Sequence, residues 1–529
     1  MSRYTPPPTP IPAGDAVPVR SLAEWRAAIE AAPVADVARR SAYEPAPRLS
    51  ARLGNRVWLK REDQQPVFSF KLRGAYTRLS ALDAAARARG VLAVSAGNHA
   101  QGLALGAAAL GIDAVIVMPV TAPAIKVEGV RAHGARVVLA GDGYDGAAAE
   151  GARLCAEQGR VMVPPFDHPD IVAGQGTVAM ELLADAAETP EVVFVPLGGG
   201  GLCAGMASYI KAVDPAIRVV AVEPEDAACF AAARAAGQPV TLDRVGLFVD
   251  GCAVGRVGAV TFEAMRHTVD EVVTVGSDAV CAAIRAVFEE CRIVAEPAGA
   301  LAIAGMEAWI ERTGTRGRRL AAVLSGANTN FDRIPYFAER AEIGTEAEAL
   351  FGVTIPERPG SFLAFARLLG RRPVTEFNYR RRDPGAAEVF VGVALSGGHG
   401  PEATAERTAL AAAFAAAGHR ADDLTHSELA RLHVRHMVGG APSGLARERF
   451  FRFEFPERPG ALIAFLAGLG GRWDITLFHY RNRGAAYGRV LAGFAIEAGQ
   501  DAALDADLDS VGYRRTEVSG DPALARFLG

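Results

Sequence analysis

Four short stretches hold residue types that could act together in one reaction. SFKLRGAY at 69–76 sets Lys71 in an apolar, turn-like context. A lysine amine that is desolvated or placed near a second cation has a lowered pKa and can form an imine with a carbonyl. Taken alone, the stretch is a weak signal and reads as a structural or surface lysine. SAGNHAQG at 95–102 gathers small residues, two amides and an imidazole. Its backbone N–H groups could bind a carboxylate, and Asn98 could reach an oxygen on a heteroaromatic ring. The plainer alternative is a helix-capping Ser95 and a buried, hydrogen-bonded His99. No acidic residue stands close enough in the chain to complete a hydrolase triad.

Gly198, Gly199, Gly200 and Gly201 are followed by Leu202 and a helical stretch. Four residues without Cβ let several N–H groups converge on a phosphate, helped by the positive end of the next helix. The run is neither the dinucleotide GxGxxG nor a P-loop with its GK pair, so a small phosphorylated cofactor suits it better than NAD or ATP, with a tight turn as the alternative. In SGAN at 325–328, Ser325 could hydrogen-bond a neutral pyridine nitrogen, where an aspartate would hold that nitrogen protonated.

These stretches must be carried by rigid elements. Apolar runs at Val57–Lys60, Val91–Ser95, Asp113–Met118, Arg136–Leu139, Val192–Pro196, Val219–Val222 and Leu320–Leu324 read as buried strands. Alanine-rich segments between them, Asp83–Arg89, Gly102–Leu110 and Ala147–Gln158, read as crossover helices. SAGNHAQG, the glycine run and SGAN each follow a strand, and open α/β sheets bind ligands at the carboxyl ends of their strands.

The 529 residues suit a core with accessory domains, and 50% hydrophobic against 22% charged residues excludes disorder over most of the length. A net charge of −4, with scattered arginines, argues against nucleic acid. No apolar run is long enough for a bilayer span. Six cysteines without a CxxC pair read as core thiols in a reducing compartment, hence a cytoplasmic protein. Residues 1–20, rich in proline, read as a flexible tail.

After residue 335 the texture changes. PERPG occurs at 356–360 and again at 456–460, each time after a strand-like alternation and before an apolar-periodic helix that leads to FNYR at 377–380 or FHYR at 478–481. This is an internal repeat of two small α+β modules, with further strands at Glu388–Ala394 and Gly488–Ala495. The intervening Ala403–Met437 has a helical pattern.

Together, SFKLRGAY, SAGNHAQG, GGGGL and SGAN resemble the threonine dehydratases (threonine ammonia-lyases) among the fold-type II pyridoxal-phosphate enzymes. The paired PERPG modules resemble the ACT-like regulatory domains of the biosynthetic form. The resemblance implies an α/β core of the tryptophan synthase β type over 21–335, a linker at 336–348, one ACT-like module at 349–425, a helical connector at 426–448 and a second module at 449–524. It further implies that Lys71 carries pyridoxal 5′-phosphate as an imine, Phe70 packs on its ring, Asn98 contacts the ring 3-oxygen, Gly198 to Leu202 surround the phosphate and Ser325 meets the ring nitrogen. Ser95, Gly97 and His99 would surround the substrate carboxylate; Gln175 and Glu181 receive no role. The implied reaction turns L-threonine into 2-oxobutanoate and ammonia, inhibited by isoleucine, opposed by valine, and carried out by a homotetramer.

Rival readings within the same chemistry are an L-serine dehydratase or racemase and a β-replacing synthase. Racemisation needs a proton donor on the face opposite Lys71, where related racemases often have serine before the glycine of their SxGNH motif; this chain has Ala96. An amino-acid sensor that has lost catalysis is the reading from another class, and the intact Lys71, Asn98, glycine run and Ser325 speak against it. Some relatives bind a divalent cation through acidic residues after an EP turn. Glu223–Pro224 is present here, but Cys229 stands at the second acidic position, so no metal is assigned.

Overall fold

The computed structural model describes residues 19–344, 348–356, 361–370, 372, 374–381, 386–395, 401–434, 447–456, 464–465, 468–469, 472–473, 475–481 and 487–527. The tail expected at 1–20 lies outside these but for its last two residues, as does most of each PERPG turn. The chain divides into two compact units, one ending at Phe337 and one beginning at Ala338.

Among the described residues the first unit holds ten strands: β1 (Tyr43–Pro45), β2 (Arg56–Arg61), β3 (Val91–Val94), β4 (Ala114–Met118), β5 (Arg136–Leu139), β6 (Val161–Met162), β7 (Val192–Pro196), β8 (Arg218–Pro224), β9 (Glu271–Val275) and β10 (Arg319–Leu324). Six form one sheet in the order β1-β2-β10-β7-β8-β9, parallel except for antiparallel β1; four form a parallel sheet, β5-β4-β3-β6. Every residue of β3, β4 and β7 is buried, which is why these runs are apolar without alternation. The three strands not foreseen, β1, β6 and β9, all lie at sheet edges, and two of them have only two or three residues, too few to show a period. Although it is the last strand of the first unit in chain order, β10 inserts between β2 and β7, so the segments leaving three neighbouring strands emerge side by side.

The helix Lys71–Ser80 is anchored by a buried charge cluster. Arg73, wholly excluded from solvent, donates to Glu62 at 2.8 Å and to Glu181 at 2.7 Å, and Lys60 donates to the same Glu181 at 2.7 Å. Two cations against two carboxylates leave no buried net charge, and the pairing holds the first turn of the helix in one place. Gly74 belongs to the same contact: a Cβ there would stand 2.5 Å from the Gln175 amide, whose oxygen accepts from the Gly74 N–H.

In the second unit, β11 (Glu348–Pro356), β12 (Val374–Arg381), β13 (Ala386–Ala394) and β14 (Arg420–Asp423) form an antiparallel sheet in the order β12-β13-β11-β14. Its repeat pairs β15 (Glu448–Pro456), β16 (Ile475–Arg481), β17 (Tyr487–Ala495) and β18 (Arg514–Glu517) in the order β16-β17-β15-β18. The two copies even share a register irregularity, at Val374/Glu376 and at Ile475/Leu477. Phe351 and Val353 of β11 face the core of their own module, while Leu350 joins Leu424, Phe450, Leu491 and Leu524 in a cluster shared by both modules. Each sheet thus packs apolar residues on both faces, which explains the unbroken apolar run ALFGV and the adjacent Phe450 and Phe451 of RFFRF.

One expectation changes. Ala403–Met437 is not helical throughout: the helix Pro401–Ala416 stops at Gly418, which takes a φ of +77°, and the chain turns back as β14 against β11. The stretch 336–348 is mostly the helix Ile334–Gly344, because Tyr336 and Phe337 bury their rings against Phe248. Within the expected connector at 426–448, Glu428–Leu432 is a short helix, and 435–446 lies outside the described residues.

Candidate active site

One cavity of the first unit is lined by Phe70, Lys71, Asn98, Phe166, Pro196, Gly198, Gly199, Gly200, Gly201, Leu202, Gly251, Cys252, Glu296, Ala298 and Ser325. Residues 255 apart in the chain meet here because β10 sits between β2 and β7.

Lys71 begins its helix directly after Phe70, and its Nζ lies 3.4 Å from the Pro165 carbonyl and 5.3 Å from the centre of the Phe70 ring. Desolvation holds the amine below the usual lysine range, against the opposing pull of Cys252 and Glu296. An amine so placed spends more of its time unprotonated, as imine formation requires.

The glycine run forms the turn between β7 and the helix Gly201–Val213, with Gly200 at a φ of +97°. Side chains are excluded by its neighbours: a Cβ on Gly198 would lie 2.8 Å from Cys252, and one on Gly199 only 2.2 Å from the Phe166 ring. The Gly198 carbonyl accepts from the Cys229 thiol at 3.4 Å and the Gly199 carbonyl from the Thr261 hydroxyl at 2.7 Å. In a trans peptide the next N–H points opposite to the carbonyl, so the N–H groups of Gly199 and Gly200 face away from that scaffold. Donors so placed, with a helix N-terminus beside them, are of the kind that can hold an anion.

Ser325 follows β10, is buried, and donates its hydroxyl to the Ala298 carbonyl at 3.0 Å. Asn98 is the first residue of the helix Asn98–Ala109; its amide nitrogen donates to Glu296 at 2.6 Å and its oxygen accepts from Asn328 at 2.8 Å.

Ser95, Gly97 and His99 are not among the residues lining the cavity. The Ser95 hydroxyl accepts from the Gly97 N–H at 3.2 Å, and the His99 ring is buried with Nε2 3.1 Å from the Val163 carbonyl. Burial lowers the His99 pKa to about 4, so the ring is neutral and donates to that carbonyl. Gln175 and Glu181 lie in the contacts that anchor the Lys71 helix. Glu223, pushed up to about 7 by burial, accepts the N–H groups of Phe230 and Ala231 at 2.8 Å, in the first turn of the helix Cys229–Ala236. Among the described residues no three or more of histidine, cysteine, aspartate and glutamate cluster as metal ligands, and no helix is long and apolar enough to cross a membrane.

Sequence reasoning passed over Phe166, Cys252 and Glu296. Only Glu296 carried a signal, as the residue before Pro297 at the start of the helix Pro297–Thr313.

The family model of pyridoxal-phosphate dependent enzymes matches residues 34–326, and that of the C-terminal regulatory domain of threonine dehydratase matches 339–434 and again 439–528. The chain is 50% identical to the biosynthetic L-threonine dehydratase of Burkholderia multivorans, an alignment covering 94% of this chain and 97% of that one. The chain belongs to the biosynthetic threonine dehydratases. As a threonine dehydratase it is a pyridoxal-phosphate lyase that converts L-threonine to 2-oxobutanoate and ammonia in the isoleucine pathway, and its second unit is regulatory. The Escherichia coli biosynthetic dehydratase is likewise 50% identical, over 96% of this chain and 97% of its own. Among solved structures, the processed threonine deaminase isoform 2 of Solanum lycopersicum superposes with a TM-score of 0.59 at 42% identity, over 60% of this chain and 93% of its own. Maize serine racemase gives 0.56 at 31% identity, over 59% and 95%. The cavity fits the dehydratase cofactor on its own chemistry: a desolvated amine for the aldehyde, a glycine cradle that excludes side chains for the phosphate, and an amide and a hydroxyl for the ring.

Proposed function

We propose that this threonine dehydratase holds its cofactor through Lys71, Asn98, Gly198 to Leu202 and Ser325, with Phe70 against the ring. The observation that carries this reading is the convergence of all of them on one cavity with a desolvated lysine. When bound, the cofactor supplies an electron sink for the charge left at the substrate Cα. Lys71, once released by the incoming amino group, is the base that takes the Cα proton, and its lowered pKa suits that task. The uncharged Ser325 hydroxyl, its one proton turned from the Ala298 carbonyl, donates to the ring nitrogen without charging it. The loop at 95–99 receives the substrate carboxylate on its backbone N–H groups; the His99 ring, committed to Val163, orients the loop from behind.

Elimination is favoured over racemisation because Ala96 offers no transferable proton. A 2-oxo acid assay with both amino acids tests this: L-threonine should react faster than L-serine, whereas rapid exchange between D and L forms without ammonia release would support a racemase.

Isoleucine inhibition, activation by valine, a homotetramer and a cytoplasmic setting complete the proposal. It is supported by two regulatory modules attached after a complete catalytic unit, since a separate module biases activity when an effector prefers one enzyme state. A chain ending at Arg340 should keep pyridoxal phosphate and some threonine elimination but lose isoleucine inhibition. A folded truncation inhibited with the full-length concentration response would move the effector site into the catalytic unit.

A further inference from the structure

We propose that Glu296 is a positioning residue that acts through Asn98, locking the Asn98 amide so that its one uncommitted N–H is presented to the ring oxygen of the cofactor. The inference rests on the reading of Asn98 given above and assigns the control of that contact.

An asparagine amide has two donors on nitrogen and an acceptor on oxygen, and a half-turn about its last bond exchanges them. Asn98 is gripped at both ends: nitrogen to the Glu296 carboxylate at 2.6 Å, oxygen from the Asn328 amide at 2.8 Å. Asn328 is held in turn by Gln101, whose amide donates to it at 3.4 Å. An ionised carboxylate only accepts, so turning Asn98 over would set its oxygen against the Glu296 oxygen and its nitrogen against the Asn328 nitrogen. Two repulsive contacts would replace two attractive ones inside a low-dielectric cavity wall. One N–H of Asn98 then remains, on a side chain that lines the cavity.

Glu296 is built into the frame that carries the opposite edge of the ring site. Its N–H donates to the Gly326 carbonyl at 3.2 Å, the Ser325 N–H donates to Gly299 at 3.4 Å, and the Ser325 hydroxyl donates to Ala298 at 3.0 Å. Gly326 must lack a side chain for this packing, since a Cβ would stand 2.2 Å from the Glu296 carboxylate and a Cβ on Gly299 would meet the Gly326 carbonyl at 1.9 Å. The turn at 296–299 thereby ties the ring-oxygen partner and the ring-nitrogen partner to one rigid piece of backbone. The carboxyl itself is pushed up to about 7 by burial, so it is mostly ionised at pH 8.

The test uses full-length apoprotein titrated with pyridoxal phosphate at pH 8, reading the dissociation constant and the absorption spectrum of the bound cofactor, with the thermal midpoint of each apoprotein alongside. Glu296→Ala should weaken cofactor binding about tenfold and alter the spectrum, as expected when a buried donor loses its acceptor. Glu296→Gln, which can still accept from Asn98, should recover to within about threefold of wild type. In an Asn98→Ala background, Glu296→Ala should add nothing, because its partner is already gone. Wild-type affinity and spectrum in Glu296→Ala, additive losses in the double variant, or equal losses in the Ala and Gln variants that track a fall in apoprotein midpoint would each overturn the inference. Wild-type affinity in Asn98→Ala alone would instead refute the reading of Asn98, and the inference with it.

Discussion

Lys71→Ala is expected to abolish threonine elimination to within detection, a fall of at least about a thousandfold in kcat, because one substitution removes both the covalent anchor and the general base. The amine sits at the first position of a helix whose first turn is fixed by the Arg73, Glu62 and Glu181 cluster, so the backbone should survive the change. Lys71→Arg separates charge from chemistry: a guanidinium keeps the cation but cannot form the imine, and this variant should be as inactive as the alanine. Borohydride reduction of the wild-type holoenzyme followed by peptide mass analysis checks the site directly. The cofactor should be found on the peptide containing SFKLRGAY, and its discovery on another lysine would refute the assignment.

Gly199→Asp should have the next largest effect, on cofactor retention. A Cβ at this position already meets the Phe166 ring at 2.2 Å, and the new carboxylate would stand beside the bound phosphate. Two like charges about 4 Å apart repel by about 4 kcal/mol at an effective dielectric constant of about 20, which corresponds to a loss of about a thousandfold. Gly199→Ala introduces the same steric contact without charge and should cost less, about tenfold. The dissociation constant of pyridoxal phosphate from each apoprotein distinguishes the two contributions. Equal affinity in glycine and aspartate forms would remove the glycine run from the phosphate site.

Much of the molecule could be read from the chain. The buried strands announced themselves because a parallel sheet covered on both faces admits apolar residues at every position, as in β3, β4 and β7. The repeat in the second unit was visible because PERPG marks the same strand-to-helix turn twice. Three of the four reactive stretches, SAGNHAQG, the glycine run and SGAN, could also be placed at a strand end. The edge strands β1, β6 and β9 escaped notice, two of them having only two or three residues, as did β14, whose four residues RADD carry no apolar signal.

The amino-acid sequence by itself determined which residues could do chemistry and which local element each would occupy, since both depend on side-chain type and on near neighbours. Only the tertiary structure decided which of them share a cavity. The insertion of β10 between β2 and β7 joins Ser325 to Lys71 and the glycine run, a pairing of distant segments that no local pattern encodes. The same holds for the partners of the polar groups. His99 and Asn98 are adjacent in the chain and alike in promise, yet His99 turns to a backbone carbonyl and lies off the cavity lining, while Asn98 faces the cavity between Glu296 and Asn328. A helix start sends successive side chains about 100° apart, and what each then meets is set by elements 64 to 230 residues away.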